Sequence, residues 1–207
     1  MAEHEFSTAS SETLYTGKIF ALRSDRVRMP GDTIAVREVV EHYGAVAIAA
    51  LNAENHIAMV YQYRHAFGRR LWELPAGLLD VAGEEPQHTA ARELQEEAGL
   101  RADTWQVLAD LNSAPGFSDE SVRIYLATGL SAVDRPEAHH EEADMTLRWF
   151  PIAEAARLVF SGEVVNSIAI AGILAAHAVT EGFAQPRPVD SEWIDRPTAF
   201  AARKAAQ

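Results

Sequence analysis

The sequence predicts an α/β fold in which a β-sheet lies between helices. Strand-like runs rich in β-branched and aromatic residues flank one helical segment at residues 86–98. Two further helical patterns follow near the C-terminus, at residues 151–160 and 165–179. Turn-forming residues separate these segments, and the sequence contains no internal repeat. Strands on both sides of a central helix, with more helices behind them, favour a layered architecture.

The N-terminal third is predicted to begin with a leader and continue as short strands. Residues 1–12 are polar and lack periodicity, so we expect a mobile leader there. Strands are expected at residues 18–23 and 33–41, on either side of a turn at residues 29–32 that contains Pro-Gly. A hairpin follows, with residues 44–51 and 56–64 as its strands.

The C-terminal part supplies the remaining layers. Pro86 can open the central helix and Gly99 can end it. Three more strands are predicted after this helix, at residues 104–111, 122–128 and 145–150. The last helix is apolar nearly all round, so we expect it to be buried. The tail at residues 185–207 is expected to be partly ordered at most, with Trp193 and Ile194 as the residues that could dock it.

Composition excludes several classes of protein. Of 207 residues, 48% are hydrophobic, so the chain can bury a globular core. The net charge of −12 argues against a nucleic-acid partner, because a phosphate backbone needs a basic surface. There is no cysteine, which excludes disulfides and fits a reducing compartment. Signal-peptide features and an apolar run long enough for a bilayer are missing, so we expect a cytoplasmic protein without a membrane partner.

Three carboxylates project from one face of the central helix. Glu93, Glu96 and Glu97 stand at positions i, i+3 and i+4. Like charges this close repel, so a cationic group must offset them if they stay ionised. Hard divalent cations bind carboxylate oxygens, and Mg²⁺ commonly uses one or two carboxylates plus substrate phosphates. Without its context, such a cluster is more often a solvated helix face.

The residues around the cluster change that interpretation. Glu84 precedes Arg-Glu-Leu-Gln-Glu-Glu-Ala-Gly-Leu at residues 92–100, and the whole pattern from Gly77 resembles the Nudix hydrolase box. Six residues separate Gly77 from Glu84, one more than the usual spacing, whereas the rest of the box is intact. The resemblance implies a Nudix α/β/α sandwich with a mixed sheet at residues 44–207. It also implies a small N-terminal β subdomain within residues 1–43.

The resemblance further implies metal-dependent hydrolysis of a phosphoanhydride. Glu93 and Glu97 are the expected main metal ligands, with Glu96 as a further ligand or a carboxylate shared through water. In similar enzymes the backbone carbonyl at the position of Ala76 also binds the metal. Arg92 is expected to hold these carboxylates, and an ordinary i,i+4 pair with Glu96 is the alternative. We expect Mg²⁺ as the cofactor, with Mn²⁺ as a possible substitute.

A catalytic base must come from outside the helix. In ADP-ribose pyrophosphatases, a subgroup of the family, a loop after the box supplies it, and residues 139–144 (His-His-Glu-Glu-Ala-Asp) match that loop. Glu142 is the predicted base, with Glu141 and Asp144 as alternates. Glu84 is expected to be structural. A solvated acidic loop explains residues 139–144 equally well when they are viewed alone.

Further motifs resemble this subgroup, especially its mycobacterial members. Residues 59–65, 71–77 and 114–120 carry the likeness, and Pro115 lies 16 residues after Gly99, where a proline marks the subgroup. The resemblance implies a substrate-contacting loop that contains Pro115 and Phe117.

Arginines and aromatics are the other expected substrate contacts. Arg64 would contact the diphosphate or terminal phosphate, with Glu73 either orienting it or binding substrate. Arg37, from the N-terminal subdomain of the same or of the partner subunit, would reach the phosphates or the adenine side. Phe20 or Tyr15 could stack on adenine, although burial in the core is the commoner role for aromatics.

The sequence thus predicts metal-dependent hydrolysis of ADP-ribose to AMP and ribose 5-phosphate. Two alternatives stay open. One is a Nudix hydrolase of another nucleoside diphosphate derivative, such as a sugar nucleotide, a dinucleoside polyphosphate or NADH. The other is a non-catalytic ADP-ribose sensor. Because relatives exchange the N-terminal subdomain between two subunits, the resemblance also implies a homodimer.

Overall fold

The computed structural model describes residues 4–136 and 144–206, and the chain divides into two compact units. The first, which we call the N-terminal unit, comprises Met1–Gly44, Asn112–Ser121 and Asp195–Gln207. The second, the central unit, comprises Ala45–Leu111 and Val122–Ile194. The N-terminal unit therefore contains two segments that are distant in sequence from its strands.

Three antiparallel strands form the sheet of the N-terminal unit. They are Ser7–Thr16 (β1), Phe20–Arg28 (β2) and Ile34–His42 (β3), in the order β1-β2-β3. A hydrogen bond of 2.8 Å from the backbone N–H of Met29 to the carbonyl of Thr33 closes the turn between β2 and β3. The predicted turn at residues 29–32 is therefore confirmed.

The predicted leader at residues 1–12 was wrong where the structure describes it, because β1 begins at Ser7. This strand pairs with β2 from Ser7 opposite Arg28 to Thr16 opposite Ala21. Nearly all side chains of β1 are exposed, so its sequence lacks the alternation that identifies a half-buried strand. Backbone pairing with β2 defines the strand, and β2 itself extends well beyond the predicted residues 18–23.

The remaining strands and helices follow in chain order. The strands are Ala45–Ala50 (β4), His56–Arg64 (β5), Arg69–Glu73 (β6), Ala76–Leu78 (β7), Leu100–Asn112 (β8), Ser121–Ala132 (β9), Thr146–Pro151 (β10) and Arg187–Pro188 (β11). The helices are Pro86–Ala98 (α1), Ile152–Phe160 (α2), Ser167–Thr180 (α3) and Ala199–Ala205 (α4). A five-stranded sheet has the order β11-β8-β9-β4-β7, and a three-stranded sheet has the order β10-β5-β6.

Strand β4 shows why the central unit is a sandwich. It pairs parallel with β9 and antiparallel with β7, so the five-stranded sheet is mixed. Ala47 packs in a hydrophobic cluster with Ala155 of α2 and Ile173 of α3, whereas Ile48 packs in a second cluster with Leu94 of α1. Because successive strand residues point to opposite faces, helices cover both faces of the sheet. The predicted α/β/α sandwich with a mixed sheet is confirmed.

Helix α1 has the predicted bounds, Pro86–Ala98. Proline at its first position lacks the N–H that would have no helical partner there, and its φ angle suits a helix. Gly99 ends the helix with a φ of 63°, and its N–H donates to the carbonyl of Gln95 at 2.9 Å. This left-handed conformation favours glycine, which explains why the sequence signal was reliable.

The C-terminal tail is more ordered than expected. Trp193 is buried beneath the guanidinium of Arg123, whose central carbon lies 5.0 Å from the indole ring. Phe200 of α4 is fully buried and meets the ring of Tyr43 edge to face, with 4.5 Å between centroids. Ile194 is 85% exposed, so its predicted docking role was wrong.

Helix α3 is also less enclosed than its composition indicated. Only four of its residues are buried, namely Ala169, Gly172, Ile173 and Ala176. The other apolar side chains lie at partly exposed positions, and the expectation of a fully buried helix was wrong. Across residues 4–136 and 144–206, no helix is long and apolar enough to cross a membrane.

Candidate active site

Glu97 projects from α1 and is held against β7, the strand that leads into the box loop. It is only 6% exposed, and its Oε2 accepts a hydrogen bond of 3.0 Å from the backbone N–H of Ala76 in β7. A carboxylate so far from bulk water needs such partners to remain ionised. The alternative interpretation of the cluster as a solvated helix face therefore fails for this residue.

Glu93 lies directly against the backbone of Gly77, the first residue of the box. A Cβ at this glycine would lie 2.1 Å from Oε1 of Glu93, a separation that two such atoms cannot adopt. The missing side chain is what allows the carboxylate to approach the strand. Glu93 and Glu97 thus reach adjacent residues of β7, one of which is Ala76, the predicted carbonyl ligand.

Arg92 connects two of the helix acids to Glu84, which precedes the helix. Its Nη1 donates to Glu93 at 2.7 Å and to Glu96 at 2.9 Å. Its Nε and Nη2 donate to the two oxygens of Glu84 at 3.3 and 3.2 Å. Burial lowers the pKa of Arg92, but the hydrogen bonds with Glu84 and Glu93 outweigh burial and raise it above its ordinary value. Arg92 therefore makes the predicted i,i+4 pair with Glu96 as one contact among several.

Glu84 has a second partner that sequence reasoning missed. The hydroxyl of Thr89, which is fully buried, donates to Oε2 of Glu84 at 2.9 Å. The hydrogen bond from Arg92 chiefly lowers the pKa of Glu84, against the effect of burial, and the Thr89 hydroxyl adds to it. With both oxygens engaged, Glu84 supports the orientation of Arg92.

The donor set fits a hard divalent cation in its chemistry. Glu93, Glu96, Glu97 and the carbonyl of Ala76 offer oxygen atoms alone, as Mg²⁺ prefers. Within the part of the chain that the structure describes, no three His, Asp or Glu side chains already form a ready-made metal cluster. Arg92 occupies oxygens of two of these acids, so an ion that binds them competes with its guanidinium.

Arg64 and Glu73 form a bidentate ion pair at the ends of β5 and β6. The Nε of Arg64 donates to Oε1 of Glu73 at 2.9 Å, and Nη2 donates to Oε2 at 2.5 Å. Glu73 is nearly completely buried, whereas 45% of the Arg64 side chain is exposed. Of the two roles predicted for Glu73, this geometry supports the orientation of Arg64.

The predicted bases Glu141 and Glu142 lie outside the described residues. The third candidate, Asp144, accepts two hydrogen bonds to Oδ2 from the guanidinium of Arg70, one of them from Nε at 3.0 Å. An oxygen engaged in this way is less available to take a proton from water. Arg70, on β6, was missed because nothing in the sequence connects residues 74 positions apart.

Phe20 and Tyr15 are at the surface of the N-terminal unit. Phe20 is 38% exposed and Tyr15 is 55% exposed, with 5.7 Å between their ring centroids. The expectation that these aromatics are buried in the core was therefore wrong. Arg37 is also exposed, and its Nη1 donates to the carbonyl of Val36 at 2.9 Å. All three side chains remain candidates for contact with a ligand.

The loop at residues 112–121 is attached to β3. Val40 donates its N–H to the carbonyl of Phe117 at 2.7 Å, and its own carbonyl accepts from the N–H of Asp119 at 3.1 Å. His42 donates its N–H to Oδ1 of Asp119 at 2.8 Å. Burial chiefly raises the pKa of Asp119, in spite of this hydrogen bond. Phe117 itself is 60% exposed.

A cavity of about 350 Å³ lies beside the same loop. The loop lines it with Pro115, Ser118 and Asp119, and the tail lines it with residues 195–199. Asp119 and the tail residues were not singled out from the sequence. The contribution of the tail could not be foreseen, because about 80 residues separate it from the loop.

The predicted site residues divide between the two units. Those of the central unit are Arg64, Glu73, Ala76, Arg92, Glu93, Glu96 and Glu97. Those of the N-terminal unit are Phe20, Arg37, Pro115 and Phe117. In the central unit, the structure brings the acids together with Arg92 and β7, and it pairs Arg64 with Glu73.

Comparison with protein families gives two matches. Residues 40–166 match the NUDIX domain, and residues 7–40 match the nucleoside diphosphate sugar hydrolase N-terminal domain. The first match covers more than half of the chain.

Curated proteins are related to the chain in sequence, and a solved structure shares its fold. The chain is 76% identical to an ADP-ribose pyrophosphatase of Mycobacterium tuberculosis, and the alignment covers 99% of each chain. It is 36% identical to an ADP-ribose pyrophosphatase of Bacillus subtilis, over 81% of this chain and 90% of that one. A methanol dehydrogenase activator of Bacillus methanolicus is 35% identical, over 79% of this chain and 88% of that one. The crystal structure of an ADP compounds hydrolase shares the fold, with a TM-score of 0.74 and 18% identity over 89% of this chain and 100% of that one.

Proposed function

The chain belongs to the Nudix hydrolase family, and we propose that it hydrolyses the diphosphate of ADP-ribose to AMP and ribose 5-phosphate. The observation that carries this proposal is the 76% identity with the pyrophosphatase of Mycobacterium tuberculosis across 99% of both chains. An alignment of that extent spans the segments that carry the acids of the central unit as well as the loop and strands of the N-terminal unit. Fold likeness alone would not select a substrate, because one fold hosts many functions.

We propose Mg²⁺ as the cofactor, with Mn²⁺ as a substitute. Glu93 and Glu97 would hold the ion, with Glu96 and the carbonyl of Ala76 as further oxygen donors. A divalent ion, when bound, offsets phosphoryl charge and makes water more acidic. Two contacts support these ligands. The N–H of Ala76 donates to Oε2 of Glu97, and the Glu93 side chain lies against the backbone of Gly77.

Arg92 would keep the acids in place before the ion binds. Its guanidinium neutralises part of the repulsion between Glu93 and Glu96, to which it donates from one nitrogen. Its bidentate contact with Glu84 keeps that guanidinium beside the helix. When an ion takes the carboxylate oxygens, Arg92 retains Glu84 as a partner.

The remaining chemical step needs a base. We propose Glu142, with Glu141 as the alternate, to take the proton from the attacking water. The water oxygen forms a new bond to one phosphorus, and the bond between that phosphorus and the bridging oxygen breaks. Asp144 is the weaker candidate, because Arg70 engages its Oδ2 twice.

Several arginine and aromatic side chains are the proposed substrate contacts. Arg64, oriented by Glu73, is suited to the diphosphate, since a planar guanidinium matches phosphate oxygens. The exposed ring of Phe20 is suited to stacking on adenine, and Arg37 lies on the same sheet. Pro115 and Phe117 would contact the substrate from their loop.

We propose that the active form is a homodimer, in which the N-terminal strands of each subunit contribute to the partner's site. Large apolar side chains at the surface of the N-terminal sheet support this arrangement. Leu14 is 50% exposed, Ile19 is 47% exposed and Val36 is 53% exposed. Large apolar side chains that are exposed favour association with a partner, because their removal from water is favourable.

A second candidate substrate class has specific support. The match of residues 7–40 to the N-terminal domain of nucleoside diphosphate sugar hydrolases favours a sugar nucleotide as the alternative. Kinship with a methanol dehydrogenase activator keeps a regulatory role open, in which ADP-ribose would be bound without turnover.

A substrate panel separates these candidates. The purified chain would be assayed with ADP-ribose, a sugar nucleotide, a dinucleoside polyphosphate and NADH, with Mg²⁺ and with a chelator. We expect ADP-ribose to give the highest kcat/KM, with AMP and ribose 5-phosphate in equal amounts and only with the metal. A higher kcat/KM for a sugar nucleotide than for ADP-ribose would identify the sugar nucleotide as the substrate instead. Tight ADP-ribose binding without products would favour the sensor.

We also keep the cytoplasmic location as a proposal from the sequence. Cell fractionation with an antibody against the chain would test it. Recovery from the membrane fraction or the culture medium would contradict it.

A further inference from the structure

An arginine of the last helix contacts two strands of the N-terminal sheet. Arg203 of α4 donates from Nε and Nη2 to the two carboxylate oxygens of Glu41, at 2.7 and 2.9 Å. Its Nη1 donates to the hydroxyl of Thr13 at 2.6 Å. Thr13 lies on β1 and Glu41 on β3, so a single guanidinium contacts the first and third strands of the sheet.

Glu41 depends strongly on this partner. It is 2% exposed, and it also accepts a hydrogen bond of 2.6 Å to Oε1 from Nη1 of Arg23 on β2. The hydrogen bond from Arg203 is the main reason that the pKa of Glu41 is lowered. Loss of Arg203 would remove the guanidinium that donates to Oε2 of this buried carboxylate, and breaking a buried ion pair is destabilising.

The residues on either side of Glu41 hold the loop at residues 112–121. Val40 exchanges two backbone hydrogen bonds with the loop, at Phe117 and Asp119. His42 donates its N–H to the Asp119 side chain. The short segment of β3 that Arg203 fixes through Glu41 is therefore the segment that fixes the loop.

A second contact joins the tail to the start of the loop. Asn112 donates from its side-chain amide to Oδ2 of Asp195 at 2.9 Å, and tail and loop together line the 350 Å³ cavity. The attachment of α4 does not itself need Arg203, because Phe200 is fully buried against Tyr43. The packing of Phe200 thus gives α4 an attachment that is separate from Arg203.

We infer that Arg203 is a positioning residue for substrate binding. Through Glu41 it fixes the end of β3, and β3 in turn holds the loop that presents Pro115 and Phe117. This inference rests on the proposed function, in which the loop contacts ADP-ribose. Arg203 itself would touch neither the substrate nor the reacting atoms, so it should influence substrate affinity more than the chemical step.

The test compares Arg203→Ala and Arg203→Lys with Lys204→Ala, an exposed cation at the next position of the same helix. Steady-state kinetics with ADP-ribose would be measured together with hydrogen exchange of the peptides that cover residues 112–121. For Arg203→Ala we expect KM to rise about tenfold while kcat changes by less than about twofold. Exchange in the loop should become faster. Arg203→Lys should change KM and loop exchange less than Arg203→Ala does, since lysine keeps the charge but lacks the planar guanidinium. Lys204→Ala should match the wild type in both measurements.

Three results would overturn the inference. One is an unchanged KM in Arg203→Ala. Another is a raised KM with unchanged exchange in the loop. The third is faster exchange in α1 as well, which would mean that Arg203 acts on global stability. If the wild type does not hydrolyse ADP-ribose, the proposed function fails instead. Loop exchange in the variants then still decides whether Arg203 holds the loop.

Discussion

Arg92 shows how single residues decide what the acidic helix can do. Its contacts with Glu84, Glu93 and Glu96 convert a repulsive cluster into an ordered set of oxygens. The sequence predicted that Arg92 holds the helix acids, and its pair with Glu96 follows from helical spacing, because residues four apart on a helix are neighbours. It could not predict Thr89 as the partner of Glu84, since a buried hydroxyl in a helix has many possible acceptors.

The Glu84 contacts make stability depend on pH in a defined direction. The pKa of Glu84 is lowered from its ordinary 4.5, so its ionised form stabilises the fold above that value. This contribution is lost as the pH falls through the lower pKa of the folded state. We therefore expect the free energy of unfolding of wild type to exceed that of Glu84→Gln near neutral pH, and the difference to shrink in acid.

Urea unfolding from about pH 7 down to about pH 3 would measure this difference. Glu54→Gln, at an exposed site in the turn after β4, is the matched control. If the difference in the free energy of unfolding between wild type and Glu84→Gln increased as the pH fell, ionised Glu84 would not be the stabilising form.

At the scale of elements, the reliability of a prediction followed the strength of the local signal. Strand β5 (His56–Arg64) and helix α1 (Pro86–Ala98) have the predicted bounds, because apolar runs or caps define both. Strand β8 begins at Leu100, four residues before its predicted start. Strand β1 and helix α4 were missed, since one lacks a buried face and the other has seven residues, too few for a clear period.

The end of α1 gives a prediction about its stability. Gly99 has a φ of 63°, and an added Cβ would lie 3.3 Å from the carbonyl of Val133. We expect Gly99→Ala to lower the free energy of unfolding by about 1 kcal/mol, because alanine disfavours the left-handed region. Gly116→Ala is the control, since its added Cβ would meet open space. Equal stability of the two variants in urea unfolding would refute this role of Gly99.

The N-terminal sheet gives a prediction about assembly. Val36 on β3 is 53% exposed, and an aspartate there would place a charge in the proposed subunit interface. We expect the wild type to sediment at twice the monomer mass of 22.7 kDa, and Val36→Asp to sediment at that mass with reduced activity. Phe183→Asp, at an 85% exposed residue of the central unit, should stay dimeric. A wild-type monomer with full activity would reject the shared site.

At the scale of the whole molecule, the sequence predicted the layers but not the composition of the units. The α/β/α sandwich follows from strands that alternate their side chains between two helical layers, and this pattern is local. The loop at residues 112–121 and the tail belong to the N-terminal unit through hydrogen bonds between residues far apart in sequence, such as Asn112 with Asp195. The periodicity of a sequence does not reveal contacts between residues that are far apart along the chain. For the same reason, the contacts of Arg70 and Arg203 could not be predicted.

The most direct test of the central claim is a metal titration. Mn²⁺ binding would be followed by electron paramagnetic resonance in the presence of an ADP-ribose analogue with a methylene bridge. We expect wild type and Glu54→Gln to bind the ion equally, and Glu93→Gln and Glu97→Gln to bind it at least about tenfold more weakly while unfolding near the wild-type temperature. Unchanged affinity in both glutamine variants would contradict the account.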